Sequence, residues 1–475
     1  MQVYLKCLLN NIDYKFPKKA KLNQYNRMSY WQFRAPNIKH LALVLLCCGS
    51  NLSFAQQDTV SLASAKKIRL DEAILLGIKN NQQLKLANAD LAIANENVGQ
   101  AKIAKMPRIN LNGGYNYIGD PKLYNGFYES QVTVDYYNHQ AFANVVSSLP
   151  IYAGNALNTR INQQELITQM QQSAVRMTEA DVKNAITEQY FTLEKLYRQI
   201  EVTKQNIINT DIRINQLKSR VKNGQNLTSD LLRTELQQSN FKVSVFRSTN
   251  TIELISNYLD ILIGFPNNTI LKPEVAESMI PTESMNLQQS LEEAFANREE
   301  IKRAAVKIKL SESSLSLTKS GFKPNLNANL ILNTEYPAQW PNYVNLLNYW
   351  AAGLSLNWDI SSFYNLKHRI SGDKLEIDKS NLALEVTKDQ ISTEVKNAYV
   401  RYAESKENIK TYKKDVELSM SNYKIVKSRY DNDFALISEI VDAELQLNNS
   451  RISLVNANLD LIIQYYSLQY AMGKL

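Results

Sequence analysis

No proline occurs between Pro150 and Pro266, and none follows Pro341. The first gap spans 115 residues, with glycine only at 154, 224 and 264. Proline inside a helix costs about 3 kcal/mol, so these gaps permit helices far longer than those of ordinary domains. The apolar period supports them. Ile186, Tyr190, Leu193, Tyr197 and Ile200 step by 4, 3, 4, 3, and Tyr412, Val416, Ser419, Tyr423, Val426 and Tyr430 by 4, 3, 4, 3, 4. This is the seam spacing of coiled-coil packing. Turn-forming clusters fall at Asn223-Gly224-Gln225-Asn226 and at Asp431-Asn432-Asp433-Phe434. Each gap therefore reads as a helical hairpin. The descending arms cover 155–222 and 364–430 and the returning arms 227–263 and 436–472. At 1.5 Å per residue a descending arm spans roughly 100 Å.

The hairpins belong to a tandem repeat. Leu70-Asp71-Glu72-Ala73-Ile74 is echoed by Leu287-Gln288-Gln289-Ser290-Leu291, and Pro107 by Pro324, both at an offset of 217 residues. Ser229 and Gly264 are answered by Ser438 and Gly473 at an offset of 209. So long a period is no solenoid unit; it marks two copies of one half-domain. We divide the chain into a leader (1–55), an extension (56–67), a first repeat (68–264), a linker (265–285) and a second repeat (286–475). Each repeat starts with a shorter helix, 70–105 or 287–320, placed to stack end to end with a returning arm.

The formal charge of +8 misleads about the folded part. Residues 1–55 hold eight Lys and Arg against one acid, Asp13, leaving 46 basic and 45 acidic residues in the rest. A nucleic-acid footprint needs a basic stripe in the folded part, and none is visible. The leader reads as an export signal: Arg34, Lys39 and His40 precede the apolar run 41–48, and Ser53-Phe54-Ala55 offers a cleavage site before Gln56. Met28 is an alternative start, since 27 residues before it make a long basic region. All three cysteines, Cys7, Cys47 and Cys48, lie in this leader, so the rest of the chain has neither disulfides nor thiolate metal sites. Cys48 as a lipidated residue is the alternative, though Leu46-Cys47 matches a lipobox poorly.

Between short helix and hairpin in each half the texture changes to alternation with period two. We assign strands to 109–117, 141–149, 326–333 and 350–358. Each is about nine residues, the length of a tilted membrane-spanning strand. Tyr115, Tyr117, Tyr124, Tyr136, Tyr137, Trp340, Tyr349, Trp350 and Trp358 crowd these blocks, as interfacial girdles would. Two ordinary soluble hairpins are the plainer alternative. Open strand edges are forbidden in a bilayer, and four strands cannot close a barrel, so the membrane reading requires completion by other subunits.

Together these features resemble the TolC family of outer-membrane efflux proteins over 68–473. The resemblance is carried by the repeat start through Asn80-Asn81, the junction Lys105-Met106-Pro107, and both hairpin tips, Arg220 to Leu231 and Arg429 to Asp442. It implies an α+β membrane protein: a homotrimer whose twelve-stranded β-barrel, four strands per chain, sits in outer-membrane lipid. A long α-helical coiled-coil tunnel would continue it into the periplasm. Such a protein is a passive exit duct without cofactors, docking on a periplasmic adaptor and an inner-membrane pump of RND or ABC type. The resemblance also implies adaptor docking at the tips, around Gly224, Leu227, Ser229, Leu436 and Ser438. Glu439 and Asp442 match acidic rings of the periplasmic mouth, which would favour cations. The plainer reading of these acids is a solvated helix start that suits the dipole. Asp230 and Tyr430 match a pair linking neighbouring hairpins in a closed mouth. The chain departs from the pattern twice: Ala435 stands where a basic partner is expected, and Asp433 replaces the tip glycine.

An enzyme finds little support. After residue 55 only His139 and His368 are present, in different halves, and no phosphate loop, metal spacing or nucleophile motif occurs. A structural or adhesive coiled-coil protein of the cell envelope is the alternative function, but it has no need of aromatic-flanked strands at matching places. The exported substrate is not legible: drugs, metals and proteins all fit.

Overall fold

The computed structural model describes residues 65–119, 123–125, 127, 130–132, 137–266, 269–275, 285–337 and 345–475. The leader with its three cysteines, Tyr136 and Trp340 lie outside them. From the extension through the first repeat the order is β1 (Lys66–Ile68), α1 (Leu70–Asn80), α2 (Gln82–Ile103), β2 (Arg108–Tyr117), β3 (Leu123–Asn125), β4 (Ser130–Val132), β5 (His139–Ala153), α3 (Ala156–Lys222) and α4 (Thr228–Ile263). There follow β6 (Leu271–Pro273), α5 (Leu287–Asn297), α6 (Glu299–Ser320), β7 (Asn325–Tyr336), β8 (Leu347–Asn357), the single turn α7 (Ser362–Asn365), α8 (Lys367–Asp431) and α9 (Ile437–Ala471).

The two long helices, α3 with 67 residues and α8 with 65, are the posts of the molecule. The other helices stack in pairs beside them. On one side of α3 lie α2 and, below it, α4; between α3 and α8 lie α6 and, below it, α9. The result is a wall four helices wide, in which α3 carries an apolar seam of Ile186, Tyr190, Leu193 and Ile200 into a core with Ile252, Leu259, Ile263 and Ile462. Each such side chain contributes about 1.5–3 kcal/mol by leaving water. A second cluster, around Ile391, Val395, Leu461 and Leu468, packs α8 on α9.

Two features correct the reading of the short helices as continuous. Both break after eleven residues, at Asn81 (φ −57°, ψ 130°) and at Arg298 (φ −60°, ψ 123°), positions equivalent in the two repeats. The Asn81 side chain accepts from the N–H groups of Gln83 and Leu84, capping α2, and donates to the Leu262 carbonyl at 3.2 Å. Arg298 donates to the carbonyls of Tyr470 and Ala471, both at 3.4 Å, and forks onto Glu394 and Glu300 at 2.8–3.1 Å. The carbonyls that a helix end leaves without partners are thus satisfied by the break residue of the neighbouring short helix.

The stretches before the first repeat and between the repeats also contain structure. β1 pairs in parallel with β6, Ile68 opposite Pro273. The Tyr190 hydroxyl accepts from the Glu274 N–H at 3.0 Å and lies 3.1 Å from the Ile68 carbonyl. Burial pushes its pKa up to about 12, so it stays a donor.

The main strands form one antiparallel sheet of order β2-β5-β7-β8, so β5 of the first repeat pairs with β7 of the second. β5 runs 15 residues, past the expected end at 149, because the register shift between Pro150 and Tyr152 lets the proline sit in the strand. A small hairpin, β3 with β4, stands between β2 and β5. Register sorts the side chains strictly by face. One row across the sheet reads Leu111, Val145, Leu332, Trp350, and the adjacent row on the other face reads Asn112, Asn144, Asn333, Tyr349. The first face is apolar and exposed, Leu111 at 75% and Trp350 at 71%. The second is rich in amides, with Asn112 donating to Asn144 at 3.0 Å and Asn329 to Ser355 at 2.8 Å. Among the described residues no helix is long and apolar enough to cross a membrane.

Candidate functional site at the hairpin tips

Both hairpins turn with the same backbone. In the first, the Gly224 N–H bonds to the Val221 carbonyl at 3.0 Å and Gln225 to Arg220 at 2.9 Å; in the second, Asp433 bonds to Tyr430 at 3.0 Å and Phe434 to Arg429 at 2.7 Å. This is a Schellman stop, whose key residue takes a left-handed conformation: Gly224 has φ +70° and Asp433 φ +61°. An aspartate is strained there where a glycine is not. Asp433 reaches across to the other tip and pairs with Arg220 at 3.0 Å. Arg220 also lies 5.9 Å from the Tyr430 ring.

The residues after each turn occupy equivalent places. Leu227 and Leu436 are the N-caps of α4 and α9, without side-chain caps and about 70% exposed (70% and 69%). Ser229 and Ser438 follow in the first turn of each helix. Asp230 is half-buried and accepts weakly from Asn226 at 3.5 Å. Tyr430 packs against a cluster of Leu217, Val426, Ile437, Ile440 and Val441. Burial pushes its hydroxyl pKa up; Arg220 and Arg213 oppose this, and the Asp230 charge adds to it.

Neither Glu439 nor Asp442 stands alone. Glu439 accepts from the Leu436 N–H at 3.2 Å, capping α9, and lies 3.5 Å from Arg429. Asp442 lies 3.6 Å from Arg233 on α4. Just above, Arg213 and Glu444 form an ion pair at 2.5 Å whose side chains are only 8% and 3% exposed. Asn206 donates to Asn448, Gln199 to Asn456 at 2.6 Å and Lys195 to Asp460 at 2.7 Å, continuing a polar ladder along the α3–α9 seam. The family resemblance marks the two acids but not Arg213, Arg220, Arg233 or Arg429, which the fold brings beside them or onto the same tips. The signal for Arg233 was available: it lies 209 residues before Asp442, at the equivalent position of the other repeat.

A four-strand sheet with one apolar face, continued by a wall of paired helices around two posts, defines the fold of the outer-membrane channels. Solved structures with this fold include VceC of Vibrio cholerae, with 15% identity, a TM-score of 0.71, and coverage of 85% of this chain and 96% of that one. They also include CmeC of Campylobacter jejuni (15%, 0.69, 85% and 85%) and MtrE of Neisseria gonorrhoeae (15%, 0.68, 85% and 89%). No curated protein matches the chain significantly by sequence. The family model described as outer membrane efflux protein matches residues 76–258 and again 290–474, once in each repeat. The chain belongs to this family, the one its repeat starts and tips resemble, and the family places it in the cell outer membrane. It is a family of efflux channels rather than enzymes.

Proposed function

We propose that the protein is the outer-membrane exit duct of a tripartite efflux or type I secretion system. Three copies close a twelve-stranded barrel in the lipid, and their helical walls enclose a periplasmic tunnel. The tips, with Leu227, Ser229, Leu436 and Ser438 beside the turn at Gly224, dock on a periplasmic adaptor that couples the duct to an inner-membrane pump of RND or ABC type. Glu439, Asp442, Asp230 and Tyr430 line the mouth, where the acids favour cations.

The observation that carries this reading is the sheet β2-β5-β7-β8. It exposes a continuous apolar face and leaves its edge strands β2 and β8 without a partner among the described residues. An exposed apolar sheet with open edges is a liability in water. In lipid, closure through neighbouring copies satisfies both the face and the edges. An adhesive coiled coil has no use for such a sheet.

Detergent-extracted full-length protein should run as a trimer and form stable conducting pores in planar bilayers. A monomer that never conducts would end the duct reading. Glu439→Ala with Asp442→Ala should weaken cation preference; unchanged selectivity in conducting pores would remove these two acids from the mouth.

A further inference from the structure

Arg233 and Asp442 occupy the same position of the two repeats, 209 residues apart, and they meet at 3.6 Å. Their helices, α4 and α9, flank α3, yet at the tips they close on one another; the buried Gln237 side chain on α4 donates to the Val441 carbonyl on α9 at 3.4 Å. In the trimer proposed above, on which this inference rests, the two repeats alternate around the axis. Equivalent positions then build six-membered rings. Asp230 and Glu439 are equivalent and give a ring of acids; Arg220 and Arg429 are equivalent and give a ring of arginines. Position 233/442 is different, because one repeat supplies a cation and the other an anion.

We infer that Arg233 is a selectivity-determining residue of the periplasmic mouth, holding the Asp442 carboxylates electrically neutral in a ring of alternating sign. The cation preference of the duct then rests on Asp230 and on the charge that Arg429, 3.5 Å away, leaves to Glu439, and Arg233 limits its size. Both side chains of the pair are more than half exposed (51% and 68%), so each contributes little to folding. What the pair controls is the field that a passing ion meets. The strand region leaves that control to the tips. On its amide-rich face the rows paired through β2, β5, β7 and β8 carry charge only near their ends, at Arg108 and Glu335, among the described residues.

The test is the reversal potential of reconstituted full-length pores under a potassium chloride gradient. Arg233→Gln should raise the potassium-to-chloride permeability ratio by at least roughly two- to five-fold, the effect of a single unit charge a few ångströms from an ion in a water-filled passage, since each of the three subunits loses one. Asp442→Asn should shift it the opposite way, and the double variant should return close to the starting value. Arg247→Gln, on the same helix but away from the tip, should change nothing. Pores of Arg233→Gln with an unaltered reversal potential would overturn the inference while leaving the duct intact. A parent protein that forms no pores would instead overturn the duct reading.

Discussion

Asn81 and Arg298 stand at the same point of the two repeats, and each donates a side-chain N–H to the end of its returning helix, Leu262 at 3.2 Å and Ala471 at 3.4 Å. The two joints use different chemistry for one task. Asn81 is a small neutral cap; Arg298 is a buried cation held by two carboxylates. The short helices break there because the side chain that serves the neighbouring helix end must leave the helical path.

Truncating either joint should loosen the point where the short and returning helices meet. Asn81→Ala removes a helix cap worth about 1 kcal/mol and leaves the Leu262 carbonyl unmatched. Arg298→Ala strips partners from two carboxylates and two carbonyls, and hydrogen bonds to charged groups are worth about 1.5–3 kcal/mol each. The thermal midpoint, followed by circular dichroism in detergent, should fall in both variants and further in Arg298→Ala.

The Arg213–Glu444 pair separates two roles for buried charge. Glu444→Ala leaves the Arg213 cation buried without a partner and should cost about 3–5 kcal/mol. Replacing both, Arg213→Met with Glu444→Leu, should be close to neutral or stabilising. Equal losses in the single and double variants would show that the ladder stabilises the seam by more than mutual compensation.

Two glycines with positive φ should respond differently to alanine. At Gly224 (φ +70°) an added Cβ meets open space, so Gly224→Ala carries only the left-handed strain, about 1–2 kcal/mol. At Gly264 (φ +74°) the same atom falls 2.5 Å from the Asn80 Cβ, so Gly264→Ala must also displace α1. Unfolding midpoints should drop clearly more for Gly264→Ala.

Asp260 is fully buried, accepts from the Thr269 N–H at 2.9 Å through one oxygen and has no partner on the other among the described residues. Burial raises its pKa, against the smaller opposing effect of that hydrogen bond. With a folded-state pKa above the unfolded one, its favourable contribution is complete below the unfolded value and is lost as pH rises through the folded one. Asp260→Asn should therefore raise stability at neutral pH and remove the loss of stability that Asp260 contributes as pH rises from its unfolded to its folded pKa. A neutral-pH midpoint that falls in Asp260→Asn would mean that the charged form is the one the site holds.

Much of the helical architecture is legible residue by residue. The proline gaps and the 4, 3 steps of Ile186 to Ile200 locate α3, and Asn223-Gly224 marks its end, because these are local preferences acting within a few turns. Alternation likewise marks β2 around Ile109 and Leu111. The site was legible only in part. Glu439 and Asp442 stand out by their place after the tip, whereas Arg429 looks like any solvated charge until the hairpins are folded together, and Arg233 is marked only by its repeat equivalence to Asp442.

What the sequence alone determined is the inventory: long helices, alternating strands, two copies of one half-domain and a turn at each tip. Those features follow from backbone sterics and apolar period, which each residue imposes on its near neighbours. The tertiary structure alone decided the joints at Asn81 and Arg298, the pairing of β5 with β7 across the repeats, and the meeting of Arg213 with Glu444. Their long-range side-chain contacts join groups 96 to 231 residues apart, from Arg298–Glu394 to Arg213–Glu444. No local preference spans such distances; only the packing of one post against another brings those groups together and excludes the water they would otherwise bind.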